Sequence, residues 1–385
     1  MKSAVCLAFA STIALAPAQE KKSNPYLSLQ VEIKQAIARG NAFLAKQQQE
    51  DGHWDQADLP AFTALALTAG ARDPGRPSQT ELPPNIAKGF QWLLKQQKED
   101  GGIYNKGLSV YNTATSVTAL TAGGLEEFEP AIVKGRKHLI DQQWDIGQKK
   151  ETDNLNDGGI GYGSKNDHTD LSNTYLAIEA LALSKKVVED GKHGDQPDLD
   201  WKAALVFLSR CQAIDSPTAL PESAQSDQNK GGFRYAPTES KAGEDKLPDG
   251  RTALRSHGSI TYAGLLSLIY AKLGPDDPRV KAVKEWLGKN YTLTENPGMG
   301  SQGLYYYYQT MSKALSAANI DKLELADGKK ADWRNDLANA ILSKQGADGS
   351  WTNENARWME SNPILVTAYT VMSLEQIYYS IPSEP

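Results

Sequence analysis

The sequence predicts an all-α fold: six helical hairpins closed into an α6/α6 double ring, with apolar helices inside and amphipathic helices outside. Three observations predict it. The chain repeats itself, alternate helices are apolar on every side, and a Gly-containing turn recurs between the two helix types. The repeat shows in RGNAFLAKQQQEDGHW (39–54), KGFQWLLKQQKEDGGIY (88–104), KGRKHLIDQQW (134–144) and AILSKQGADGSW (340–351). Each carries an apolar pair, then a Gln, then a turn. Turn glycines recur at Gly52, Gly101, Gly158, Gly231, Gly300 and Gly349, a step of roughly 50 to 75 residues.

The outer helix of each unit is amphipathic. Ile86, Phe90, Leu93 and Leu94 fall on one face, while Lys88, Lys95 and Gln96 can face solvent. The inner helices read AFTALALTAG (61–70), NTATSVTALTAGG (112–124), NTYLAIEALAL (173–183), GSITYAGLLSLIYA (258–271), GLYYYYQTMSKAL (303–315) and NPILVTAYTVMSL (362–374). A helix apolar all round must be buried all round, and the Ala, Gly, Ser and Thr let such helices approach closely. Closing the ring removes the exposed ends that an open stack of hairpins, the alternative architecture, must cap.

A chain of 385 residues is long for one ordinary domain, but repeats can use it as a single body. Net charge is −6 and no basic face stands out, so no nucleic-acid partner is expected. The first residues, MKSAVCLAFASTIALAPAQEKK, place Lys2 before an apolar run and the small residues Ala16-Pro17-Ala18 after it. Residues 1–18 therefore read as a signal peptide, 19–30 as a linker and 31–380 as one domain of six repeats. The run is too short for a membrane span, and no later stretch suits one. The expected location is periplasmic or extracellular. Cys6 leaves with the signal and Cys211 then stands alone, which excludes an internal disulfide and a Cys-based metal site. An exported chain without disulfides suits a bacterial periplasm. GMGSQG (298–303) spells a dinucleotide fingerprint but follows no strand, so no cofactor is expected.

Long polar insertions at 145–157, 213–230 and 236–255 fall between outer and inner helices of units three and four. They should gather at one mouth of the ring as a lid or rim, or be plain surface loops.

The pattern Lys/Arg-Gly-x-x-aromatic-Leu-x-x-x-Gln-x-x-x-Gly-x-Trp resembles the QW repeat of squalene and oxidosqualene cyclases. Arg39, Gly40, Phe43, Leu44, Gln48, Gly52 and Trp54 fit it throughout. Lys88, Gly89, Trp92, Leu93, Gln97 and Gly101 fit it until Ile103 and Tyr104. Gln345, Gly349 and Trp351 fit its second half, and units three to five depart from it. The resemblance implies the α/α toroid of terpenoid cyclases and protein prenyltransferase β subunits. It implies a Gln that caps a neighbouring helix and a Trp stacked on that Gln. It also implies a central cavity for an apolar or isoprenoid-like small molecule.

The cyclase acid is Asp-x-Asp-Asp-Thr at the start of an inner helix. Here HTDLSNTYLAIEAL (168–181) supplies Asp170, Leu171, Ser172, Asn173 and Thr174. Ser172 and Asn173 replace the two inner carboxylates, and neither can protonate an alkene. The Asp-x-Cys of the prenyltransferase zinc site and the Cys-Gly-Glu-Gln thioester are absent from the sequence.

Asp170 reads as a helix N-cap before it reads as an acid, with Asn112 and Asn362 at equivalent helix starts. Asp153, Asp157, Asp167, His168 and Asp170 crowd the third mouth loop, and Tyr162 follows NDGGIGYG. Two carboxylates beside an aromatic platform suit glycoside chemistry; a solvated or calcium-holding loop is the plainer reading. His257 opens the fourth inner helix as a general base or a hydrogen-bonded rim residue, with Tyr262 one turn in. Tyr305 and Tyr308 share a helix face, and Tyr111, Tyr175 and Tyr369 add to the aromatic lining expected inside.

The expectation is thus a ring that binds an apolar ligand. Asp170, His168 and His257 are the acid or base candidates. Asp157, Tyr162, Ser172, Asn173, Tyr262, Tyr305 and Tyr308 are the lining candidates, and no metal is expected. A periplasmic glycan-active enzyme and a non-catalytic scaffold with a plugged centre are the alternatives.

Overall fold

The computed structural model describes residues 25–76, 81–163, 168–189, 191–214 and 226–382. The expected signal peptide, Asp167 and most of the 213–230 insertion lie outside the described residues.

The described residues are dominated by helices. The outer ones are α1 (Leu27–Gln47), α3 (Pro84–Leu94), α5 (Glu129–Asp141), α8 (Trp201–Cys211), α10 (Pro278–Lys289) and α12 (Trp333–Leu342). Between them run α2 (Pro60–Arg72), α4 (Ser109–Gly123), α6 (Leu171–Leu183), α9 (Gly258–Tyr270), α11 (Leu304–Ala317) and α13 (Pro363–Ser380). A short α7 (Lys186–Glu189) follows α6. Each inner helix packs on the next, in the order α2, α4, α6, α9, α11, α13, and α13 returns to α2. That contact order is a closed all-α ring. Pro60, Pro84, Pro278 and Pro363 stand in the first turn of their helices, where the missing N–H is harmless.

Two small hairpins complete the elements. β1 (Glu244–Lys246) pairs antiparallel with β2 (Thr252–Leu254), Glu244 opposite Leu254. β3 (Leu323–Glu324) pairs with β4 (Lys330–Ala331), Leu323 opposite Ala331.

A repeated clamp joins the outer helices. Gln48 Nε2 donates to Gly52 O at 2.8 Å within its own turn and to Asn85 O at 2.9 Å in the next outer helix. Gln97 does the same to Gly101 O and Ala131 O. Gln345 bonds Gly349 O and Ala36 O at 2.9 and 3.0 Å, tying the last unit to the first. Gln143 and Gln212 repeat the arrangement in units three and four. The clamp therefore survives where the surrounding motif has decayed. In unit five β3 packs on α10 instead, and Gly288 O accepts from Ala326 N.

The turn glycines serve the same joint. Gly158 has φ +84° and a Cβ there would lie 2.0 Å from Ala203 O; at Gly349, φ +91°, it would lie 2.5 Å from Arg39 O. Only glycine combines that φ with so close an approach of backbone. The indoles of Trp54 and Trp351 are fully buried and donate to Leu44 O and Ile341 O of their own outer helices. A Cβ on Gly89 would meet the Trp54 ring at 2.8 Å, and one on Gly40 would meet Trp351 at 3.1 Å. The Trp rings thus sit against the small residue of the following outer helix.

A second repeat ties turn to inner helix. The backbone N–H groups of Trp54, Ile103, Ile160, Phe233 and Trp351 donate to the hydroxyls of Thr63, Thr113, Thr174, Thr261 and Thr367. Thr174, the last residue of the segment aligned with the cyclase acid, is therefore one of five equivalent structural threonines.

Two boundaries differ from expectation. α1 begins at Leu27, inside the expected linker, because Leu29 and Ile33 bury one face and Tyr26 Oη donates to Asp332 at 2.7 Å. α4 begins three residues before Asn112. Asn112 does not cap its own helix; its Oδ1 accepts from Ala61 N at 2.9 Å, in the first turn of α2.

Candidate functional site

The N-terminal ends of the inner helices meet at one mouth and surround a cavity of about 540 Å³. Leu59 before α2, Leu108 before α4, Ser172 and Asn173 of α6, His257 and Ile260 at α9, Tyr306 of α11 and Leu365 of α13 all line it. Tyr111, Tyr162, Tyr235, Tyr369 and Trp358 add aromatic wall. Below, the bore is nearly filled. Tyr111, Tyr306 and Tyr369 form the cavity floor and also the roof of a residual space of about 20 Å³. Tyr111 Oη lies 3.2 Å from Tyr369 Oη, and Ser172 Oγ 3.4 Å from Tyr306 Oη.

All six helix starts at this mouth already have acceptors. Asn112 serves α2, Tyr162 O serves Val110 of α4, and Tyr235 O serves Leu171 of α6. Asn296 Oδ1 accepts from Ser259 of α9, and Asn362 Oδ1 from Ile364 of α13. Glu360 accepts from Tyr305 N and Tyr306 N of α11 at 3.3 and 2.8 Å, and from Asn353 Nδ2 at 2.7 Å. Burial raises the Glu360 carboxyl while those donors lower it.

Asp170 is the N-cap of α6. Its Oδ1 accepts from Asn173 N and its Oδ2 from Asn173 Nδ2, both at 2.8 Å. It is fully buried and stands behind the cavity wall, not in it. Burial pushes its carboxyl up, against the pull of Asn173, His168 and Tyr235. His168 does reach the cavity, its Nε2 4.0 Å from Asp170 Oδ2 and its ring edge-on to Tyr162. His257 lines the wall at the start of α9, the helix packed beside α6, and burial lowers its imidazole to about 3, so it is neutral.

The structure brings Tyr162, His168, Ser172, Asn173 and His257 together around one space. It places four other expected residues elsewhere. Asp157 folds its own loop, accepting from Ile146 N and Asn154 N. Tyr262 packs against Tyr307 in the core. Tyr308 donates to Leu293 O, and Tyr305 packs edge-on against it. The helical phase of α11 turns Tyr306, and not Tyr305 or Tyr308, to the cavity. Tyr175, also expected inside, donates to Glu179 below. Asp153 accepts from Gln148 N in its own loop. Of the insertions, 145–157 is pinned to α8 by Arg210, which donates to Asn154 O and Thr152 O. The 236–255 segment contributes Lys241 at the cavity.

Sequence reasoning missed Tyr235, Lys241, Tyr306, Trp358 and Glu360. One signal was available: Tyr235 follows Phe233 as Tyr162 follows Ile160, so the two tyrosines are equivalent in adjacent units. Trp358 and Met359 have φ of 54° and 63° and are 44% and 38% exposed at the rim. Leu108, with φ 50°, is a third left-handed residue on the same cavity. Strained non-glycine backbone of this kind clusters where a site needs a particular wall.

No family model and no curated protein sequence matches the chain. Solved structures do. The type II terpene cyclase MstE from Scytonema, in complex with its substrate geranylgeranyl dihydroxybenzoate, superposes with a TM-score of 0.54 at 14% identity, over 91% of this chain and 99% of that one. The chain has the α/α-toroid fold of the type II terpene cyclases. The toroid is shared more widely. A family 76 glycoside hydrolase from a bovine Bacteroides thetaiotaomicron strain gives 0.56 at 10% identity over 90% and 78% of the two chains. An alpha-amylase from Clostridium perfringens gives 0.52 at 12% identity over 89% and 98%. At these identities the toroid is what is held in common, and the chemistry has to be read from the cavity itself.

Proposed function

We propose that this chain is an exported toroid that holds an isoprenoid-like apolar ligand in its central cavity without cyclising it. The observation that carries the reading is the cavity wall: Leu, Ile, Phe and Tyr side chains from all six inner helices around one space of about 540 Å³. That volume is in the range of small-molecule sites. Ser172 lines the cavity where the cyclase pattern has its central carboxylate, and the retained Asp170 is committed to capping α6. His168 and His257 then serve as polar wall. The composition of residues 1–18 supports export.

A glycan-active site would need two carboxylates facing one cleft. Among the described lining residues Glu360 is the one carboxylate, and helix α11 and Asn353 already occupy it. The test is mass spectrometry of organic extracts from the protein purified from its native source without detergent. The expected result is one apolar, isoprenoid-like molecule in stoichiometric amount. An empty extract together with hydrolysis of a polysaccharide would overturn the reading.

A further inference from the structure

The inner helices all start at the mouth, so residues further along each helix lie deeper in the bore. One helical turn carries the wall down by about 5.4 Å. Near the mouth these helices present Phe62, Tyr111, Leu176, Tyr306 and Tyr369. Within two turns the same helices present Thr68, Thr115, Glu179, Gln309 and Lys313. Leu65 and Met372 are the apolar members of this deeper set. The bore therefore changes from apolar to charged across a single layer of side chains.

That layer is the cavity floor. Tyr111 of α4, Leu176 of α6, Tyr306 of α11 and Tyr369 of α13 border both the cavity above and the space of about 20 Å³ below. The rings hold one another in place. Tyr111 Oη lies 3.2 Å from Tyr369 Oη, the Tyr306 and Tyr369 ring centroids are 6.1 Å apart, and Ser172 Oγ lies 3.4 Å from Tyr306 Oη. The space below has room for about one water and none for an alkyl chain. Its wall includes Lys313 and Glu179, whose charged ends are 3.0 Å apart. A hydrocarbon tail driven past the floor would have to disrupt that buried ion pair, which is strongly unfavourable. At the other end of the cavity stand His168 and Lys241, with side chains 47% and 31% exposed. The cavity thus has a polar, open end and an apolar, closed one.

We infer that Tyr111, Tyr306 and Tyr369 are the depth stop of this site and select its ligand by the length of the apolar tail. The tail enters end-on, and the polar end of the ligand stays at the mouth beside His168 and Lys241. Each added unit of chain buries more apolar surface until the tail meets the three rings. Chain beyond that length stays in the open mouth and adds little. This inference rests on the reading of the cavity as an isoprenoid-like site and adds a length limit and an orientation to it.

The test is equilibrium binding by calorimetry of the full chain to geraniol, farnesol, geranylgeraniol and geranylfarnesol, which share a head group and differ only by successive isoprene units. Affinity is expected to rise by at least about tenfold per unit while the added chain is buried, and to level off within the series. Tyr369→Ala opens the floor into the space below. It should tighten the longest alcohol by at least about tenfold over wild type and leave the shortest unchanged. Tyr306→Leu, on a different helix, should shift the levelling point in the same direction. If neither variant folds, the wild-type series decides by itself. An unbroken rise through the wild-type series, or a levelling point that stays put in both folded variants, overturns the depth stop and leaves the isoprenoid reading standing. Binding of none of the four alcohols overturns both.

Discussion

The Lys313 ammonium lies 3.0 Å from Glu179 Oε2 inside the ring, with the two side chains 10% and 4% exposed. Tyr175 Oη donates to the same carboxylate oxygen at 3.1 Å. The pair sits beneath the floor of the cavity and fills the bore with charge instead of hydrocarbon. Removing one partner leaves the other buried and alone. Lys313→Met should therefore destabilise the protein by about 3 to 5 kcal/mol, whereas Glu179→Leu with Lys313→Met together should come back close to wild type. Chemical denaturation of the two singles and the double measures this. A double variant as unstable as the sum of the singles would show that the pair carries no mutual term.

The Gln clamp makes a prediction about closure. Gln345 bonds Ala36 O and Gly349 O and accepts from Arg39, so it joins the last unit to the first. Gln345→Ala removes these bonds at a partly buried joint and should cost about 1 to 3 kcal/mol. Gln97→Ala, at the equivalent joint inside the chain, should cost about the same. Thermal unfolding of both variants compares them. A loss at Gln97 with none at Gln345 would mean that closing the ring adds no stability.

The ring was legible in the sequence because its causes are periodic. Apolar-all-round helices have to be buried, and the Gln-turn-Gly signature marks every joint but that of unit five, even where the Trp is gone, as at Gln143 and Gln212. The site was legible only in part. Ser172, Asn173 and His257 could be found because each opens an inner helix. Tyr306 could not be chosen among four consecutive tyrosines, since one residue of helical phase decides which faces inward. Glu360 was hidden because it caps α11 from the following unit, a contact across 54 residues of chain. Asp157 misled because an Asp-rich loop that binds its own backbone looks, in sequence, like a pair of catalytic carboxylates.

Glu375 gives a pH-dependent prediction. It is fully buried on α13, neither carboxylate oxygen has a hydrogen-bond partner among the described residues, and burial pushes its carboxyl well above the ordinary range. A carboxyl raised in the folded state stays protonated there while the unfolded chain ionises above about pH 4.3. Its contribution is therefore most favourable below that pH and is lost as pH rises. Glu375→Met, of similar shape, should stabilise the protein at pH 8 by about 1 to 3 kcal/mol. The gain should shrink towards pH 4. Urea titrations at the two pH values decide it; a variant less stable than wild type at pH 8 would mean that Glu375 has a partner when folded.

His257 predicts the opposite slope. Burial alone lowers its imidazole from the ordinary 6.5 to about 3. The folded state therefore keeps it neutral while the unfolded chain takes up a proton below about pH 6.5. Stability from this group is full above pH 6.5 and falls as pH drops towards 3, with a slope of up to about 1.4 kcal/mol per pH unit. His138, also depressed by burial although Asp100 lies 3.4 Å away, adds to the same acid loss. His257→Phe removes the His257 part and leaves that of His138. Its unfolding free energy should fall less steeply than that of wild type between pH 6.5 and 4, and the two curves should run parallel above pH 7. Parallel curves over the whole range would show that His257 charges while the protein is folded, which a buried imidazole beside Ser259 and without a carboxylate partner has no means to support.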